Sequence, residues 1–208
     1  MRREQVIIGL YRELRCRLGA PAGQWSAWCK RPKTIGEREL VIIEAILTQR
    51  TNWRNVELAM RKLRAVGLIR IKSLARTRIS GMLREAIRSS GFYRSKAQYL
   101  VSLARFIQNR GGVRALMSSD GDPIRQELLA LPGIGPETAD SILLYALDMP
   151  VFVIDEYTRR LLARKRIVHG TSYEAIRELF ERSIRKEYRL YQDFHALIVI
   201  DGKLKNRK

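Results

Sequence analysis

Leu131-Pro132-Gly133-Ile134-Gly135-Pro136-Glu137-Thr138-Ala139-Asp140 is the stretch from which the rest of this chain is best read. Helical periodicity runs up to it over residues 123–131 and resumes over 137–147. The segment at about 127–147 is therefore a tight helix–loop–helix. Its two glycines let the backbone turn sharply and come close to a ligand. Amides of the loop and of the next helix's first turn have no intrahelical acceptor, and the positive end of that helix stands behind them. Such a cluster suits a phosphate, so Gly133, Ile134, Gly135, Glu137 and Thr138 are candidate nucleic-acid contacts. Contacts of this kind hold a strand in register without reading its bases. A plain αα-hairpin with glycine at a C-cap would look similar, and the charge of the chain weighs against it.

Of 208 residues, 30 are Arg and 10 are Lys, against 21 acidic residues, for a net charge of +19. A polyanion is the default partner of such a chain, either nucleic acid or an anionic membrane surface. The hydrophobic share of 46% supplies a core and excludes wholesale disorder. Apolar runs such as Leu40–Leu47 and Ala196–Ile200 fall far short of the roughly 20 residues needed to span a bilayer. Arg12 and Glu13 interrupt the first apolar stretch, which has no small-residue cleavage site and does not read as a secretory signal. Cys16 and Cys29 are too few for a disulfide framework or for the four ligands of a zinc or iron–sulfur site. No metal site is expected, and the protein reads as cytoplasmic and nucleoid-associated, with reduced thiols, a monomer that binds no membrane.

The pattern elsewhere is all-α. Helices are predicted over 3–18, 37–48, 52–66, 73–75, 78–89, 95–110, 113–118, 123–131, 137–147, 156–165, 171–185 and 187–200. Residues 20–36, rich in Pro, Gly and Trp, read as a structured loop. A short extended piece, 150–154, leads to Asp155. Asp155 stands directly before a helix, where it would serve as an N-cap.

In this order, these segments resemble the endonuclease III superfamily of DNA glycosylases, the helix-hairpin-helix (HhH-GPD) family, from about Leu40 to Asp201. Residues 131–155 match its hairpin and the Gly/Pro…Asp region that follows. Ile46-Leu47-Thr48-Gln49-Arg50-Thr51 is similar to the helix end that carries a Gln wedge, and Gly91-Phe92-Tyr93-Arg94-Ser95-Lys96-Ala97 to the loop that carries a hydrophobic one. Tyr191–Val199 looks like the C-terminal helix. The resemblance implies a two-lobed all-α fold. One lobe is a helical barrel of residues 36–149, and the other is discontinuous, built from 1–35 and 150–208. The implied cleft has the hairpin on one side and Asp155 on the other, and the implied partner is duplex DNA with a damaged base.

Asp155 falls on the family's catalytic aspartate. Base release builds positive charge on the sugar, which a fixed anion stabilises, and the same carboxylate can orient or deprotonate water. Where the family's glycosylase/lyases carry a nucleophilic lysine, this chain has Glu137, which cannot form a Schiff base. The expectation is a monofunctional glycosylase acting in base excision repair. Gln49 and Phe92 resemble the two side chains that fill the space a flipped base leaves.

Trp25, Trp28 and Trp53, with Glu137, resemble the base pocket of the 3-methyladenine glycosylase III-like branch. There two aromatic rings sandwich a cationic alkylated purine. That branch carries a pocket lysine on the last helix, and the nearest position here is Leu197. Uracil, thymine-mismatch or hypoxanthine removal, or a helix-hairpin-helix module without chemistry, are the competing readings. Many relatives continue past a Gly-Lys like Gly202-Lys203 into a four-cysteine iron–sulfur loop. This chain has no cysteine there, so no cluster is expected, and the basic tail 203–208 stands as a substitute source of DNA contacts. The resemblance also allows a monovalent or divalent ion in the hairpin loop.

Overall fold

The computed structural model describes residues 3–167 and 171–205. Among them there is no strand. The helices are α1 (Arg3–Leu18), α2 (Trp25–Trp28), α3 (Ile35–Leu47), α4 (Trp53–Ala65), α5 (Ile71–Arg76), α6 (Gly81–Ala86), α7 (Tyr93–Asn109), α8 (Val113–Met117), α9 (Gly121–Leu129), α10 (Pro136–Ser141), α11 (Glu156–Arg164), α12 (Tyr173–Ser183) and α13 (Tyr188–Lys205). None is long and apolar enough to cross a membrane. The chain forms two compact units, one of residues 31–147 and one of residues 1–30 with 148–208.

In the unit of residues 31–147, short polar caps set where helices begin. Thr34 and Glu37 cap α3 reciprocally: the Glu37 amide donates to Thr34 Oγ1 at 3.3 Å, and the Thr34 amide to Glu37 Oε2 at 2.7 Å. Asn52 caps α4 and Ser80 caps α6 in the simpler one-way form. Val41, Ile42, Ile46 and Leu47 of α3 pack into a core with Leu100, Leu103 and Ala104 of α7.

The predicted single helix 137–147 is instead two pieces. α10 ends at Ser141 and a π-helical turn, Ile142–Ala146, follows, with the Leu147 amide donating to Ile142 O at 3.1 Å. Buried Arg38 on α3 donates to Ala146 O at 2.6 Å and so satisfies a carbonyl at the end of that wider turn. Every residue of the turn is buried, so long-range packing sets its pitch, which the helical period does not encode.

In the other unit, α1 packs on α12 and α13, and α11 on α13. The extended segment 150–154 has no neighbouring strand to take its amides. Side chains of α12 do so: Phe152 N–H donates to Glu181 Oε1 at 2.9 Å and Ile154 N–H to the Tyr173 hydroxyl at 3.3 Å. Phe152 itself is fully buried, stacked on Phe180 at 4.2 Å and edge-on to Phe194 at 5.6 Å. Residues 20–36 are less irregular than expected, because Trp25 and Trp28 sit on the one-turn helix α2 with both indoles buried. Buried Asp201 on α13 binds Arg17 of α1 at 2.5 Å, Lys205 at 2.8 Å and Arg164 of α11 at 3.2 Å. One carboxylate thus ties three helices.

Candidate functional site

Phe152 and Ile154 anchor the segment that delivers Asp155 to the start of α11. Asp155 is the N-cap of that helix, with Oδ1 accepting from the Thr158 amide at 2.7 Å. Its other oxygen, Oδ2, lies 3.6 Å from His195 Nε2 on α13. Burial presses the carboxyl upward. Hydrogen bonding and electrostatic attraction from His195, with the bonds from Thr158, outweigh it and hold the group below its ordinary value of 3.8. The result is a buried carboxylate that stays ionised at neutral pH. Trp25 meets His195 edge-on at 5.7 Å and Trp28 edge-on at 5.7 Å. Asp155, His195, Trp25 and Trp28 therefore form one connected cluster.

His195 is the residue of this cluster that sequence reasoning missed as a site residue. The only signal was its place in the C-terminal helix match, with nothing to say which face it takes. Leu197, two residues on, is fully buried.

The hairpin candidates lie in the other unit. Gly133, Gly135 and Glu137 are exposed, while Ile134 is 4% exposed, so what Ile134 can offer a strand is its backbone. Gly133 has φ +74, and a Cβ there would run into the Tyr99 ring of α7. A Cβ on Gly135 would meet open space. Thr138 is buried, and its hydroxyl accepts from Gln49 Nε2 at 3.0 Å; the same amide group donates to Gly133 O at 2.9 Å. Gln49 is thus bound to the hairpin loop. Behind it, buried Arg125 of α9 grips Asp140 of α10 with two bonds, Nε to Oδ1 at 2.6 Å and Nη2 to Oδ2 at 3.2 Å. That pair clamps the two helices of the hairpin.

Phe92 is 61% exposed and adopts φ +47, a left-handed conformation rare for a bulky residue. Arg50 is also at positive φ, and its guanidinium lies 5.9 Å from the centre of that ring. Trp53 is half-buried on α4, with its indole N–H donating to Glu57 at 3.0 Å, and belongs to the same unit as the hairpin. The three tryptophans are therefore divided between the units, Trp25 and Trp28 in one and Trp53 in the other.

Among the described residues no group of three or more His, Cys, Asp or Glu side chains is placed to hold a metal. Cys16 is exposed on α1 and the Cys29 thiol approaches Gln192 O at 3.9 Å, so the cysteines present do not suit an iron–sulfur cluster. In the basic tail, Lys203 donates to Gln24 at 2.7 Å and Lys205 to Asp201, both within their own unit. Residues 206–208 of that tail lie outside the described residues.

A family model for HhH-GPD superfamily base excision DNA repair proteins matches residues 43–186. A Methanocaldococcus jannaschii protein named as a DNA repair glycosylase is 41% identical over 163 residues, 76% of this chain and 74% of that protein. Endonuclease III of Sulfolobus acidocaldarius is 30% identical over 171 residues, 80% of this chain and 74% of that one. Among solved structures, H. pylori 3-methyladenine DNA glycosylase bound to 1,N6-ethenoadenine superposes with a TM-score of 0.77 at 26% identity, covering 99% of both chains. A glycine-turned helical hairpin, a buried aspartate capping α11 and these likenesses agree: the chain belongs to the HhH-GPD superfamily of base excision DNA repair proteins, as a DNA glycosylase.

Proposed function

We propose that this glycosylase is monofunctional and removes an alkylated purine such as 3-methyladenine from duplex DNA, with Asp155 as its catalytic carboxylate. The observation that carries the reading is the placing of Asp155: buried, capping α11 through the Thr158 amide, with Oδ2 3.6 Å from His195 Nε2. As the bond between C1′ and the base nitrogen breaks, the base leaves with the electron pair and positive charge develops on the sugar. A preorganised anion stabilises that charge at no reorganisation cost. Water then adds to C1′, and its proton passes to the carboxylate or to the departing base. Oδ1 is committed to the helix cap, so Oδ2, on the His195 side, is the atom for this task.

An alkylated purine suits the aromatic cluster, because a cationic base is attracted to ring faces and is already activated as a leaving group. Trp25 adjoins His195 and Trp28 adjoins Trp25, which supports an aromatic surface near the carboxylate. The ethenoadenine in the H. pylori relative is itself a modified adenine, which favours the same substrate class. Glu137 offers no amine for a Schiff base, which supports water as the nucleophile. The hairpin amides hold a phosphate of the damaged strand, and Gln49 and Phe92 occupy the space vacated by the flipped base.

The experiment is a panel of duplexes carrying 3-methyladenine, hypoxanthine, uracil or a T·G mismatch, scored by alkaline cleavage. Release of the alkylated purine by wild type and not by Asp155→Asn is the expected result. Release of uracil or hypoxanthine alone would reassign the substrate. No release from any duplex would leave a DNA-binding module. Efficient borohydride trapping on an abasic site would overturn the monofunctional assignment.

A further inference from the structure

Lys96 lies on the first turns of α7 and is 1% exposed. A primary amine so deeply placed is unusual, and burial pushes it down from 10.5 to about 8. Among the described residues no carboxylate bonds it. Its Nζ donates instead to two backbone carbonyls, Leu47 O at 2.8 Å and Ser90 O at 2.7 Å. Leu47 is the last residue of α3, two before Gln49. Ser90 is buried, two before Phe92. The Lys96 backbone amide donates to Phe92 O at 2.9 Å, so the same residue holds the chain on both sides of Gly91.

The surroundings make this a junction. On the outer side, Arg50 lies over the Phe92 ring. Alongside, Ser89 Oγ donates to Asn55 O at 2.9 Å, and the Asn55 side chain donates to Thr51 Oγ1 at 3.1 Å. One turn further along α7, Tyr99 backs Gly133, whose carbonyl accepts from Gln49. Three segments separated in sequence, 47–51, 90–92 and 133–138, thus meet beside one helix, and the Lys96 amine is the buried tie between the first two. A left-handed Phe92 persists only when its surroundings over-determine it, and Lys96 supplies contacts on either side of it.

We propose that Lys96 is a positioning residue that locks the Gln49 turn and the Phe92 turn together, so that both side chains enter the duplex as a unit. The proposal rests on the reading of Gln49 and Phe92 as the fillers of the vacated space. Lys96 touches neither DNA nor sugar in this role; it acts through two carbonyls.

The test uses the full chain and a duplex with a tetrahydrofuran site opposite 2-aminopurine, whose fluorescence rises when the orphan base is unstacked. Wild type raises the signal, and Gln49→Ala and Phe92→Ala each lose part of the rise. Lys96→Met loses as much as the Gln49→Ala/Phe92→Ala double variant, about fivefold or more. Added to that double variant, it causes no further loss, because a tie between two absent side chains has nothing left to hold. Lys96→Arg, which keeps the donors, restores at least half of the signal. Affinity for undamaged duplex, through the hairpin, stays within about twofold of wild type.

Retention of the wild-type signal by Lys96→Met, while both filler variants lose theirs, overturns the proposal and leaves the reading of the fillers intact. An unchanged signal in both filler variants overturns that reading, and the proposal falls with it. Should Lys96→Met fail to fold, amide exchange in Lys96→Gln decides: faster exchange confined to 48–51 and 90–93 supports the tie, and exchange unchanged there overturns it.

Discussion

Two glycines two residues apart do different work. Gly133 is held by the fold, through φ +74 and the Tyr99 ring, whereas nothing within the protein fills the space a methyl on Gly135 would take. Gly133→Ala is expected to cost about 1–3 kcal/mol in thermal or urea unfolding. Gly135→Ala is expected to stay within about 0.5 kcal/mol of wild type. If a strand's phosphate approaches Gly135, DNA affinity measured by anisotropy will nonetheless drop in Gly135→Ala. Equal affinity there would remove the backbone of Gly135 from the interface. Asp155→Asn retains an oxygen for the Thr158 amide, so the fold survives, while base release should fall by at least on the order of a hundredfold. Single-turnover rates with unchanged DNA affinity would give that result.

At the level of elements, the hairpin owes its geometry to a buried ion pair. Arg125 and Asp140 are 7% and 0% exposed at their side chains, so neither can be solvated if its partner is removed. Arg125→Met takes the guanidinium away from a buried carboxylate and should destabilise by about 3–5 kcal/mol. Replacing both residues by apolar ones of similar volume should recover much of that loss in chemical denaturation, since the penalty arises from burying the remaining charge. The caps of α3, α4 and α11 are side-chain oxygens that accept from amides three residues on, and the Thr34–Glu37 box starts α3 two residues before its predicted start. The break between α10 and the π-turn is not legible in the sequence, because it depends on how Ile142–Ala146 is packed and on Arg38 reaching Ala146 O.

Across the whole molecule, 21 acidic residues stand against 40 basic ones, and several of the acids are spent inside the fold. Asp155 and Asp201 are both held below the ordinary 3.8 despite burial, Asp201 by hydrogen bonds from Lys205 and Arg17 and by their charge. A carboxyl whose folded value lies below its unfolded one contributes stability that is complete above the unfolded value. That stability is lost as pH falls through the folded one. Stability should therefore hold from neutral pH down to about pH 4 and fall below it. Asp201→Asn should be less stable at pH 7, with a shallower decline below pH 4, as followed by circular dichroism. The same excess of cations makes DNA binding a salt-sensitive process. If six or more phosphates are neutralised, affinity should fall on the order of a thousandfold between 50 and 200 mM salt. A flat salt response would mean that the charge is not directed at the duplex.

The helical class, the hairpin and the aspartate that caps α11 were readable from residue order, because each depends on side chains within a few positions of one another. The partner class was readable too, since net charge needs no coordinates. What spacing could not supply were contacts between distant segments. His195 beside Asp155, Trp25 against His195, and Lys96 on Leu47 O, 49 residues away, exist because packed helices bring those positions together. A helical period tells that a residue faces inward; which group it meets there depends on how the elements dock, and docking is a property of the assembled core.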